Sequence, residues 1–297
     1  MALITCSQCG HEISDKANHC PHCGKKVEKK FFTKTRIVIG VIILVAIVAI
    51  IISVYSIYIL RTRTSDKVDN PSEDTKEEAT TVKDIDGNVY KTVKIGNQVW
   101  MAENLRTTRY ANGESIPLGT STSTVTSYRY NPDDDANNVS TYGYLYNWPA
   151  VMHGSSSSSS NPSGVQGICP DGWHVPSDAE WTELTDYVGS QPQFQCDKSS
   201  DNIAKALAST TGWKSSTNNC AVSNNPSTNN ATGFSALPAG SYSYGDYDDF
   251  GYYAFFWSDT EHNDGSAYDR GLYCNSAYVY RSYDYKNYGF SVRCVRD

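Results

Sequence analysis

Residues 84–105 read DIDGNVYKTVKIGNQVWMAENL. Two turn signals, Asp86-Gly87 and Gly96-Asn97, bracket residues that alternate in polarity, the pattern of a short meander or hairpin whose side chains leave on opposite faces. Working outward, residues 154–164 (GSSSSSSNPSG) read as an exposed flexible loop. Asp178 to Val188, behind a Ser177 cap, reads as a helix with Trp181 and Leu184 turned inward, and Asn202 to Ser209 as a second one. From Phe234 onward the chain is aromatic and strand-like, broken by Gly and Asn-Asp turns. The mixture predicts an α+β domain of few helices and many short strands, starting near Val82. Trp100, Trp148, Trp173, Trp181, Trp213 and Trp257 are expected in its core.

The chain before this domain has a different chemistry. Residues 6–24, CSQCGHEISDKANHCPHCG, hold two C-x-x-C units, each followed by glycine. Such a turn aims two thiolates at one ion, and two of them complete a tetrahedral sulfur shell suited to zinc, with Cys6, Cys9, Cys20 and Cys23 as ligands. Four thiolates close the shell, so the zinc is structural, and His11, His19 and His22 are expected as exposed loop residues. Residues 1–26 are therefore read as a zinc ribbon and 27–36 as a basic segment. Residues 37–60, IVIGVIILVAIVAIIISVYSIYIL, carry no charge and would reach about 36 Å as a helix, enough to cross a bilayer. Residues 61–81 read as a polar stalk.

Charge supports one orientation. Residues 1–60 hold seven Lys/Arg against three acidic residues, net +4, and residues 61–297 hold eighteen against twenty-nine, net −11, together the −7 of the chain. A basic flank before the apolar run places the N-terminus in the cytosol and the later domain outside, at the cell surface or in the periplasm. The nine cysteines divide the same way: four in tight pairs for a metal, and Cys169, Cys196, Cys220, Cys274 and Cys294 widely spread, as in a domain with disulfides. The acidic outer part argues against nucleic acid as its partner, because phosphate binding needs clustered Lys/Arg.

The segment 84–105, then CPDGWHVPSDAEW at 169–181, FWSDTE at 256–261 and the closing YGFSVRCVRD resemble, in that order, the Fibrobacter succinogenes major paralogous domain over residues 82–297. The resemblance implies a C-type lectin-like fold, a bacterial source and an extracytoplasmic place, and it implies no defined activity. In such a fold the chain ends lie side by side under a disulfide, which implies a Cys169–Cys294 bridge. With it goes a local Cys196–Cys220 staple, leaving Cys274 single, as a buried thiol or one exposed for linking two chains. The first residues separately resemble the short zinc ribbons of bacterial membrane proteins.

Residues 241–253, SYSYGDYDDFGYY, are the strongest candidate for ligand contact. Tyr242, Tyr244 and Tyr247 could stack on the apolar faces of a sugar while Asp246, Asp248 and Asp249 take its hydroxyls. The bland alternative is a wet loop beside a tyrosine-rich core. Trp257-Ser258-Asp259 stands where lectins place a calcium-binding W-N-D, with serine in place of the amide ligand, so that calcium site is expected to be absent. The acidic runs Asp133–Asp135 and Asp246–Asp249 are read as solvated turns rather than cation sites. No histidine stands in a recognisable nucleophile arrangement, and His174 is expected as a packed residue before the helix. The expected function is a non-enzymatic binding module for a glycan, a cell-wall component or a surface protein. The alternatives are an enzyme of unknown chemistry, or a sensor whose ribbon docks a cytosolic partner.

Overall fold

The structure is a computed structural model that describes residues 3–27 and 81–297. The chain divides into two compact units, at residues 1–75 and 76–297.

In the first unit, strands Leu3–Thr5 and Glu12–Ser14 pair antiparallel, with Ile4 opposite Ile13. Each C-x-x-C-G unit closes on itself: Gly10 N–H donates to the Cys6 carbonyl at 2.9 Å and Gly24 N–H to the Cys20 carbonyl at 2.8 Å. Both glycines are left-handed, at φ 73° and 76°, which explains why glycine follows each cysteine pair.

In the second unit the expected hairpin forms from Val89–Ile95 and Gln98–Met101, turning through Gly96 and Asn97, with Thr81–Lys83 on its outer edge. The last strand, Val295–Arg296, inserts between Gln98–Met101 and Trp173–His174, so the two ends of this domain share one sheet. A three-stranded antiparallel sheet follows, ordered Tyr253–Asn263, Ser266–Tyr273, Val279–Tyr285. Five short strands make the third sheet: Asp246–Asp248, Ser241–Ser243, Gly289–Phe290, Leu145–Asn147 and Arg129–Tyr130.

Helix Asp178–Ser190 begins with a capping box: Ser177 Oγ accepts the Glu180 N–H, and a Glu180 carboxylate oxygen accepts the Ser177 N–H. It buries Trp181, Leu184 and Val188, one face of a 3.6-residue period. Among the described residues every other α-helix is five residues or shorter, including Ala204–Leu207 in the segment expected to form a second helix. The α+β expectation is therefore corrected to a mostly β domain. The physical reason is that this chain takes its backbone partners from long-range pairing, and its Gly- and Asn-rich connections stop helices after a turn. The second correction concerns the membrane helix. No helix among the described residues is long and apolar enough to cross a membrane, and the run 37–60 lies outside them, as do the basic segment and stalk except Val27 and Thr81.

Trp100, Trp148, Trp173, Trp181 and Trp257 are buried, and Trp213 is half-buried. The Trp100 and Trp181 rings meet at 4.6 Å beside Phe234. Arg293 is fully buried there, its guanidinium 4.7 Å over the Phe234 ring. It donates to Asn104 Oδ1 and to the carbonyls of Met101, Phe234 and Ser235, so each of its three guanidinium nitrogens has an acceptor. Disulfides join Cys169 to Cys294 and Cys196 to Cys220, and Cys274 is a buried thiol.

Candidate functional site

The first candidate is the ribbon. The sulfurs of Cys6, Cys9, Cys20 and Cys23 lie within 4.8 Å of one another, with Cys6–Cys23 at 3.7 Å and Cys9–Cys20 at 3.6 Å. A zinc ion bonded to four sulfurs at about 2.3 Å sets an edge of about 3.8 Å between them, so the cysteines fit the ion. Backbone N–H groups of Gln8 and Cys9 draw the Cys6 thiol down to about 6. At Cys23 the Lys25 N–H favours the thiolate, but desolvation and the other three sulfurs push the group up to about 12. Four anionic sulfurs at this spacing need a cation between them. His11 and His22 stack on each other at 4.4 Å and are exposed, as is His19.

The stretch 241–253 is divided by its own hairpin. Tyr242 pairs with Tyr247 across it and is buried, its ring 4.0 Å from that of Tyr130, so it belongs to the core. Tyr247 is half-buried against Tyr242 at 4.9 Å. Asp246 and Asp248 are exposed and hold local bonds, to the Tyr247 N–H and the Ser243 hydroxyl. Half-buried Asp249 is raised by burial and by Asp248. Tyr244 is different: it sits at the hairpin tip at φ 52°, a conformation bulky residues avoid, and is 83% exposed.

Tyr244 joins a set of residues that sequence reasoning missed. Its ring meets Tyr288 at 5.2 Å, and Tyr285 meets Tyr288 at 5.5 Å. Across the three-stranded sheet the rings of Tyr253, Tyr273 and Tyr280 form a row with 4.4 Å between neighbours. Burial raises both Tyr273 and Tyr288, and the charge of Asp284 adds to the shift of each. Asp269 shares its face of the sheet, is fully buried, and has no hydrogen-bond partner on either carboxylate oxygen. Burial, then the charge of Asp284, pushes Asp269 up to about 8, and burial pushes Asp284 to about 6. A period-2 reading of SAYDRGLY puts Asp269 between Ala267 and Gly271 on the buried face, which is the signal that was there to find.

Asp269 predicts a pH dependence. Its folded pKa of about 8 stands above an unfolded value of about 3.9, so between these limits the unfolded chain releases a proton that the folded chain keeps. Stability falls as pH rises from about 4 to about 8 and then levels. Asp269→Asn is expected to flatten that slope, and to raise stability at pH 7 by about 1 to 3 kcal/mol in urea melts. A slope identical to wild type would show that Asp269 is ionised without cost. Asp259 and Asp284, both raised, leave a residual slope of the same sign.

A second buried polar group lies at the helix start. His174 Nε2 meets Glu180 Oε1 and His174 Nδ1 meets Asp297 Oδ1, both at 2.6 Å, and the His174 and Glu180 side chains are sealed from solvent. Burial opposes charge on the imidazole, but the bonds to Glu180 and Asp297 prevail and hold it above its ordinary pKa. Asp259, of the W-S-D triplet, is fully buried, and burial with nearby Glu180 raises it to about 7. This group pins the last residue of the chain to the helix cap and exposes no nucleophile. The acidic run Asp133–Asp135 is exposed. Groups of three or more close His, Cys, Asp or Glu ligands among the described residues are the ribbon cysteines and Cys196, Asp197, Cys220, whose cysteines are already bonded.

These features define the chain as a zinc ribbon coupled in sequence to a disulfide-bonded, tyrosine-faced β domain. The chain belongs to the Fibrobacter succinogenes major domain family, which it matches over residues 93–296. Residues 2–27 match the zinc-ribbon domain family. No curated protein matches the chain. No solved structure matches it either, and nothing else found supports the lectin-like grouping implied by the resemblance.

Proposed function

We propose that residues 81–297 form a non-enzymatic binding module whose ligand is a glycan and whose contact surface is the tyrosine face around Tyr244. The observation that carries this reading is the pair of exposed rings held there: Tyr244 and Tyr285 stand 83% and 56% exposed, and both meet the buried Tyr288. Large apolar rings held at a surface mark contact sites, and flat rings beside carboxylates suit the apolar faces and hydroxyls of a sugar. The left-handed Tyr244 adds support, because Asn or Gly would serve that turn at less cost. The sealed His174–Glu180–Asp259 group offers a substrate no accessible reacting atom, which favours binding over catalysis. Two disulfides favour an oxidising compartment for this domain, and four metal-binding thiolates a reducing one for the ribbon.

The test is a glycan screen of the full chain. Tyr244→Ala and Tyr285→Ala are each expected to weaken binding about tenfold, roughly the 1.4 kcal/mol of one lost ring contact, while Tyr242→Ala acts through stability instead. A screen in which no glycan binds, or in which both tip variants bind like wild type, would overturn this reading.

A further inference from the structure

We propose that the glycan held by this face carries a free ammonium group, as an amino sugar does, and that Asp269 and Asp284 receive that group beneath the tyrosines. The inference rests on the glycan-binding reading above and adds the ligand's charge to it.

Strand register brings the carboxylates together. Asp269 stands opposite Ser282 and Ala267 stands opposite Asp284, and directly opposed residues in an antiparallel pair leave on the same side. Residues 267 and 269 also share a face, so both carboxylates point to the side that carries Tyr273 and, opposite Gly271, Tyr280.

Asp269 then presents an unsolved problem. It has no exposed surface and neither oxygen has a partner, yet buried polar groups are almost always paired, because desolvation without a hydrogen bond is unfavourable. The neighbouring cations are committed elsewhere. Arg270 leaves on the opposite face and binds Asp178 at 2.7 Å, and Arg281 binds the same carboxylate at 2.9 Å. Lys286 pairs with Glu261 and lies 4.5 Å over the Trp148 ring. A cation supplied by a ligand would give Asp269 the partner it lacks and favour release of its proton to water.

The surroundings decide which cation. Tyr273 and Tyr280, stacked on each other, share the sheet face of both carboxylates, and ring faces attract ammonium groups. A divalent metal wants about 6 to 8 oxygen ligands for calcium, and this face lacks even three clustered acidic groups. Asp284 is half-buried and Asp269 fully buried, so Asp284 is the carboxylate open to solvent.

The test compares the full chain's affinity, by calorimetry at pH 6 and low salt, for a glucosamine hexamer and for its fully N-acetylated counterpart. Wild type is expected to bind the free-amine hexamer at least tenfold more tightly. Asp284→Asn and Asp269→Asn are each expected to erase that preference, so that the two hexamers bind alike. Asp133→Asn, on the exposed acidic run, is expected to retain it. Should Asp269→Asn fail to fold, the surface variant Asp284→Asn decides alone. Equal affinity of wild type for both hexamers, or a preference that survives Asp284→Asn, overturns the ammonium proposal and leaves glycan binding standing. Binding that depends on added calcium overturns it too, since the carboxylates would then serve a metal. Neither hexamer binding, while other glycans bind in the screen, overturns it as well.

Discussion

Removing zinc with a chelator, or replacing Cys20 and Cys23 with serine, is expected to unfold residues 3–27 completely and to leave residues 81–297 folded. The ribbon's buried apolar core is little more than Cys6, Ile13 and Cys20, and its two strands have three residues each. That area cannot offset the entropy of ordering the segment, whereas a structural zinc site contributes about 10–16 kcal/mol near neutral pH. The second unit has its own buried clusters around Trp257 and Trp100, and two disulfides, so its melting should not change. Amide chemical shifts with and without chelator make the check: ribbon signals should collapse into the unfolded range while those of the β domain stay dispersed. Ribbon signals that stay dispersed without metal would mean that the cysteines do not need the ion.

The second large effect is that of the Cys169–Cys294 bridge. It closes a separation of 125 residues, and the chain-entropy relation assigns such a loop about 5 kcal/mol. The Cys196–Cys220 bridge closes 24 residues and ranks lower, at about 3 kcal/mol. Since a whole domain is stable by about 5–15 kcal/mol, the Cys169→Ala, Cys294→Ala double variant should lose a large share of its stability. Both sulfurs sit in the buried cluster with Trp257 and Phe290, so a cavity would add to that loss. Urea midpoints of the two double variants check the order. If removing the short bridge costs more than removing the long one, native packing at Cys196 outweighs loop closure.

Much of the site was hidden for an identifiable reason. The tyrosines and aspartates of 241–253 were singled out by composition, and composition does not say which way a side chain faces. The hairpin register turned Tyr242 into the core and left Tyr244 at the tip. Asp269 and Asp284 stand fifteen positions apart and looked unremarkable until the sheet set them on one face. The sequence shows His174 as a packed residue; that its partners are Glu180 and Asp297 depends on where the strand Val295–Arg296 docks.

Local chemistry alone determined the zinc ligands and the glycines behind them, the Gly96-Asn97 turn, and the Ser177 cap with its Trp181 and Leu184 face. These features rest on interactions among residues a few positions apart, whose geometry the backbone dictates. The mostly β architecture, the division of the tyrosines between core and surface, and the unpaired carboxylate of Asp269 were decided by tertiary pairing. Each depends on which distant strand lies alongside, and in an antiparallel sheet a shift of one residue moves a side chain from solvent to core.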